Sequence, residues 1–247
     1  MLLFEWSASK AYADSLLIAV ASNFSVTAQE IAEQFSAVAG HDVRISAAST
    51  GHLFVQIENG APYDVLLAAD VRRPQLIESS GLGVRGSRHT YAIGRLVLWS
   101  RDPEIRGQDC LRQLDNLGRA RLAIANPEFA PYGTAARQML QRLKLWDRVQ
   151  SRLVIGENIA QTLQFVASGN ARFGLIAMSQ IDDVRLPAAA CSWHVPPDLH
   201  QPIEQQAIIL KRATNNTAAS DFLKFLTGDA GRAIIVRHGY LVPGRDG

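Results

Sequence analysis

Apolar and polar positions fall in blocks along this chain, and the blocks end abruptly. Leu16-Leu17-Ile18-Ala19-Val20-Ala21 is an unbroken apolar run that stops at Ser22-Asn23-Phe24-Ser25. Beyond it the period lengthens: Ile31, Phe35 and Val38 share one helical face, Ser25 is the expected N-cap, and Gly40 closes the helix. Val43 to Ala47 predicts a second strand, which runs into Ser49-Thr50-Gly51 and a helix from about His52 to Asn59. Val65 to Ala69 is almost wholly apolar, as in a parallel strand covered by helices on both faces, and Asp70 starts a helix through Leu76 and Ile77. This β-α rhythm predicts an α/β, doubly wound architecture.

Tyr91 to Ser100 reads as an extended run interrupted at Gly94-Arg95, suited to carry the chain from one lobe to another. A second series follows, with strands at Leu122 to Ala125, Leu153 to Ile155, Phe173 to Ala177 and Cys191 to Val195. Its helices are expected at Leu111 to Leu117, Thr134 to Leu143 and Ile159 to Ala167. After Pro196-Pro197, Ile203 to Leu210 is extended and leads back to the first lobe, which two helices, Ser220 to Leu226 and Ala230 to His238, complete. The expected division is residues 15–92 with 204–247 as lobe I and 93–203 as lobe II, with ligand between them. Residues 1–14 read as an N-terminal extension or the remnant of a truncated signal peptide: Ala11-Tyr12-Ala13 resembles a cleavage site, but the apolar stretch before it is short and carries Glu5.

Composition narrows the field. In 247 residues, 47% are apolar and 19% charged, which is a well-cored globular chain. The net charge of +2 is scattered and no basic run interleaves with aromatics, so nucleic acid is not an expected partner. Cys110 and Cys191 are the only cysteines, which leaves a single pairing or two buried thiols equally open. Gly81-Leu82-Gly83-Val84-Arg85-Gly86 spells a dinucleotide fingerprint in the wrong context, after a helix and before a strand, and reads as a loop. Arg72-Arg73, Arg85 and Arg88 read as solvated outer charges, and His52 as an exposed residue at a helix start. Hydrolase, phosphate-loop and metalloprotease motifs are missing and the six histidines lack ligand spacing, so no enzyme, no metal bound directly by protein and no cofactor is expected.

The candidate chemistry lies in the turns. A strand that ends in small polar residues at a helix start presents free N–H groups and short hydroxyls where the dipole favours an anion. The turns at Ser22-Asn23 and Ser49-Thr50-Gly51 are of this kind, and neither contains a cation.

The chain resembles the periplasmic molybdate-binding proteins of ABC importers. The resemblance is carried in order by Ala21-Ser22-Asn23-Phe24, Ser49-Thr50-Gly51, Gln56 to Val65, Ala69-Asp70, Asn126-Pro127 with Ala130-Pro131-Tyr132-Gly133, and His238-Gly239-Tyr240. It implies a two-lobed type II periplasmic binding protein fold, each lobe a mainly parallel sheet flanked by helices. It further implies a periplasmic monomer that binds molybdate or tungstate and delivers it to a membrane permease and its ATPase. By position, Ser22 and Asn23 would supply hydroxyl and N–H donors, Thr50 a donor from the second turn, Tyr132 a hydroxyl and Ile159 a backbone N–H, with Ser49 and Gly51 in support. One branch of the family places a tyrosine where this chain has Ala177; Tyr132 would supply that hydroxyl here.

Two other readings stand beside this one. The same fold could take sulfate or another small anion, although the turns lack the arginine clamp an organic acid calls for. An orphan anion-sensor domain is the other.

Overall fold

The computed structural model describes residues 15–181 and 188–244, so the expected extension at 1–14 lies outside the described residues. Ten strands form two five-stranded sheets. The first has the order β2-β1-β3-β10-β4, from β1 (Ser15–Ala21), β2 (Asp42–Ala48), β3 (Val65–Leu67), β4 (His89–Gly94) and β10 (Ile203–Ile209). The second has the order β7-β6-β8-β5-β9, from β5 (Leu96–Ser100), β6 (Leu122–Ala125), β7 (Leu153–Gly156), β8 (Phe173–Ala177) and β9 (Cys191–His194).

The two sheets repeat one plan. Their first three strands run parallel, as the apolar runs require. The fourth position is antiparallel to both neighbours and is filled each time by the strand that has just crossed from the other lobe: β5 follows β4 through Arg95, and β10 follows β9. Sequence periodicity finds such strands but not their direction, because a run buried on both faces looks the same either way.

Helices cover both faces of each sheet. In lobe I, α1 (Ser25–Ala39) packs Ile31 and Phe35 on one face with α8 (Thr217–Thr227) and α9 (Asp229–Arg237), while α2 (Thr50–Glu58) and α3 (Arg72–Ser79) bury Leu53, Ile57 and Ile77 on the other. In lobe II, α4 (Cys110–Asp115) and α5 (Pro131–Arg142) cover one face, and α7 (Ile159–Ala167) the other; α6 (Trp146–Val149) is a short turn after α5. Gly40 ends α1 in the left-handed region (φ 73°), donating its N–H to Ser36 O.

Two local expectations are corrected, at Ser25 and at Asp70. Ser25 does not cap α1; a 3₁₀ turn over Ser22–Phe24 precedes the helix, and the Ser25 hydroxyl donates to Ser22 O instead. Asp70 precedes α3 and accepts the Arg73 N–H. Cys110 and Cys191 are joined in a disulfide that ties α4 to β9, with Cα atoms 5.5 Å apart. The glycine-rich stretch 81–86 is a loop whose Gly83 bridges Leu210. Among the described residues no helix is long and apolar enough to cross a membrane.

The disulfide closes a loop of 81 residues in sequence, so chain entropy alone assigns it about 4–5 kcal/mol. Cys110→Ser with Cys191→Ser is expected to lower the denaturant midpoint by a corresponding amount. An unchanged midpoint would mean that lobe II is held without the cross-link.

Candidate functional site

Strand register brings the candidate turns together. β1 and β2 pair in parallel with Ala21 opposite Ala48, so Ser22-Asn23 and Ser49-Thr50 emerge side by side at one edge of the first sheet. In lobe II, Ala125 lies opposite Gly156, so the turn into α5 and the start of α7 emerge together in the same way. The two edges face each other: α7 packs against the Ser22–Phe24 turn, and the Gly51 N–H donates across the cleft to Phe129 O at 2.8 Å. A Cβ on Gly51 would meet the Phe129 Cα at 2.8 Å, so the lobes can close this tightly only over a glycine.

The first turn is anchored from beneath. Phe24 is fully buried and meets the rings of Tyr91 and Tyr240 edge-on, with centroids 4.8 and 5.2 Å away. The Asn23 amide donates to Gln205 Oε1 at 2.9 Å and to the Tyr240 oxygen at 3.1 Å. Tyr240 and Ser179 hold the Asn23 carbonyl, at 2.7 and 3.1 Å. With its side chain so committed, Asn23 has its backbone N–H to offer to a ligand.

The second turn carries a buried group without a partner. Ser49 sits at the N-cap of α2 and makes no side-chain cap, and its hydroxyl has no hydrogen-bond partner among the described residues although the residue is buried. Thr50 is fully buried and accepts the Ala69 N–H at 3.0 Å, which leaves its own proton to give. Gly51, expected in support, is engaged with Phe129.

Across the cleft, Asn158 caps α7 through the N–H groups of Ala160 and Gln161, so the Ile159 N–H has no acceptor among the described residues. Tyr132 is buried in the same apolar cluster as Ala177. Its hydroxyl reaches Gln205 Nε2 at 3.5 Å, and a Cβ built on Gly94 would lie 2.2 Å from that oxygen. Burial pushes the Tyr132 phenol well above its ordinary pKa, with the nearby hydroxyls of Tyr240 and Tyr91 adding to the effect, so it remains a neutral donor. Tyr91 and Tyr240 are raised for the same first reason. Among the described residues no group of histidine, cysteine, aspartate and glutamate side chains could hold a metal ion.

Two surface expectations fail. Arg73 lies at the cleft, paired with Asp70 at 2.5 Å and donating to Glu128 O of lobe II at 2.9 Å; it lines an opening of about 360 Å³ between the lobes. His52 is half-buried and stacks on Phe129, ring centroids 4.6 Å apart. In both cases the partner lies more than fifty residues away along the chain, and no local pattern signals it. Gln205 was missed for another reason: it was read within an extended return strand and given no role. Its parity with Ile203, Ala207 and Ile209 would have placed it on the buried face.

Two lobes closing on opposed helix starts, with neutral donors turned inward, define a binding protein for a small solute. A family model described as bacterial extracellular solute-binding protein matches residues 16–241. The molybdate-binding protein ModA of Azotobacter vinelandii is 43% identical over 94% of this chain and 92% of its own, and that of Rhodobacter capsulatus 38% identical over 94% and 90%. The solved periplasmic molybdate-binding protein of Azotobacter vinelandii superposes with a TM-score of 0.85 at 38% identity, covering 92% of this chain and 99% of that one. The chain belongs to the bacterial extracellular solute-binding proteins, and its relatives there are periplasmic molybdate-binding proteins, which are binding components and not enzymes.

Gly94→Ala is expected to displace the Tyr132 hydroxyl and weaken ligand binding at least tenfold while the protein still folds, since the clash falls on one phenol and one amide. Titration calorimetry beside a thermal melt checks it. Unaltered affinity would place the Tyr132 hydroxyl away from the ligand.

Proposed function

We propose that this protein binds molybdate, and tungstate in its place, between lobe I (15–92 with 204–247) and lobe II (93–203). The loaded monomer would hand the anion to a membrane permease and its ATPase after export to the periplasm, and would work without a cofactor. Ser22 and Asn23, Thr50, Tyr132 and Ile159 hold the oxyanion through hydroxyl and N–H donors, with Ser49 as a further hydroxyl and Gly51 allowing the lobes to meet. No protein atom ligates the molybdenum directly.

The observation that carries this reading is the buried Ser49 hydroxyl without a partner among the described residues, beside Thr50 at the start of α2. A buried polar group left unpaired costs about 1–3 kcal/mol, and an oxyanion between the lobes would relieve it. The relatives' molybdate binding selects the anion. A tetrahedral dianion wants many donors and no facing acceptor, and oriented dipoles in a dry cleft hold it without a cation. Sulfate has the same charge and shape, so size alone separates it; phosphate, still carrying a proton at neutral pH, would find no acceptor for it.

Titration of ligand-free protein with molybdate, tungstate, sulfate and phosphate tests the reading. One-to-one binding of the first two is expected, with sulfate at least about a hundredfold weaker (roughly 2.7 kcal/mol). Preferential sulfate binding would move the function to sulfate uptake, and no oxyanion binding would overturn it. Thr50→Ala removes a hydrogen bond to a charged group, worth about 1.5–3 kcal/mol, or roughly 10- to 150-fold in Kd. Because burial raises the Tyr132 phenol, its proton stays on as pH rises, and molybdate affinity is expected to be flat from about pH 7 to pH 9.

A further inference from the structure

We propose that Gln205 is a positioning residue that fixes the direction of the Tyr132 hydroxyl, so that this hydroxyl turns its proton into the cleft. The proposal rests on the oxyanion reading above and adds to it a device by which the site favours unprotonated anions.

Gln205 is fully buried at the centre of β10, the strand that returns from lobe II. Its amide is oriented by what surrounds it. Oε1 faces two donors, the Asn23 amide at 2.9 Å and the Tyr91 hydroxyl at 3.1 Å, so the other end of the amide must be the NH₂. That NH₂ points at the Tyr132 oxygen at 3.5 Å. An amide N–H can only donate, so the phenol oxygen is the acceptor in this pair, and the phenol proton is left for another partner. Among the described residues the Tyr132 hydroxyl donates to none. Gly94 packs against both the Tyr132 oxygen and the Gln205 amide, and its lack of a side chain leaves this pair undisturbed.

Thr50 follows the same rule by a different route. Its oxygen accepts the Ala69 N–H at 3.0 Å, which occupies one of its two lone pairs and leaves the proton free. A hydroxyl is ordinarily both donor and acceptor, and would welcome a protonated phosphate as readily as a bare dianion. With an acceptor position taken from behind by a protein N–H group, each hydroxyl is biased to present its proton to the cleft. Gln205 is the piece of this arrangement that a single substitution can reverse. It also joins the two lobes' contributions, since one amide touches both Asn23 of the first turn and Tyr132 of lobe II.

The test is a double-mutant cycle read by calorimetry with molybdate, with the wild-type titration deciding the oxyanion reading and the variants deciding this one. Gln205→Met keeps the bulk and removes the donor; it is expected to weaken molybdate about tenfold. Tyr132→Phe is expected to cost about as much alone, and little more when combined with Gln205→Met, because the misdirected hydroxyl is already ineffective. A purely structural role would give penalties that multiply. Gln205→Glu provides the second arm: the ionised carboxylate accepts the phenol proton and abolishes binding, and protonation restores a donor. Its molybdate affinity should therefore rise as pH falls from about 8 to 6 while the wild type stays flat. Wild-type affinity in Gln205→Met, or full multiplication in the cycle, overturns the proposal. Should Gln205→Met fail to give a cooperative melt, the pH course of Gln205→Glu decides alone, a flat course overturning it.

Discussion

Everything in this molecule depends on parallel pairing between neighbouring strands that end level with each other. Because Ala21 lies opposite Ala48 and Ala125 opposite Gly156, four chain segments leave their sheets at two facing edges, and helices start there. Helix starts have N–H groups that the helix itself cannot satisfy. The lobes thus bring unsatisfied donors together as a by-product of their sheet geometry, and the short side chains in the turns leave room for a ligand between them. Opposite Gly51, where the lobes touch, even one methyl group would hold them apart.

A second layer decides what those donors can recognise. Phe24, Tyr91 and Tyr240 pack beneath the first turn, while Gln205, Ser179 and the amide of Asn23 hold it by hydrogen bonds. This layer is buried, neutral and protonated, since burial keeps its phenols from ionising. It supplies no net charge, yet it sets the orientation of the groups at the start of the cleft. Among the described residues the cation that acts on Tyr132 is Arg95, and both its Nε and Nη2 are turned toward Gly239 O.

Much of this was legible in the sequence. Apolar runs ending in Ser-Asn or Ser-Thr-Gly mark both the strands and the helix starts, since the residues that stop a strand here are those that leave backbone donors open. The family resemblance then points to Tyr132 and Ile159, which no local pattern singles out. What stayed hidden depends on partners distant in sequence. Ser25 looked like a cap because serine usually is one; the intervening 3₁₀ turn becomes visible only once Phe24 is seen held between two aromatic rings. Arg73 looked solvated because Glu128 belongs to the other lobe. The disulfide was undecidable, since spacing says nothing about whether α4 and β9 adjoin.

The strand exchange between lobes has a consequence in time. β10 lies inside the first sheet, between β3 and β4, yet it is among the last strands to be synthesised. Lobe II draws its whole sheet from one continuous stretch and can assemble as soon as β9 has appeared. β2, β1 and β3 pair with one another directly, but their sheet lacks its fourth strand, and β4 its only partner in it, until nearly the entire chain exists. For a family whose members act outside the cell's interior, a first sheet completed only by the end of the chain suits passage through a channel that takes chain not yet folded.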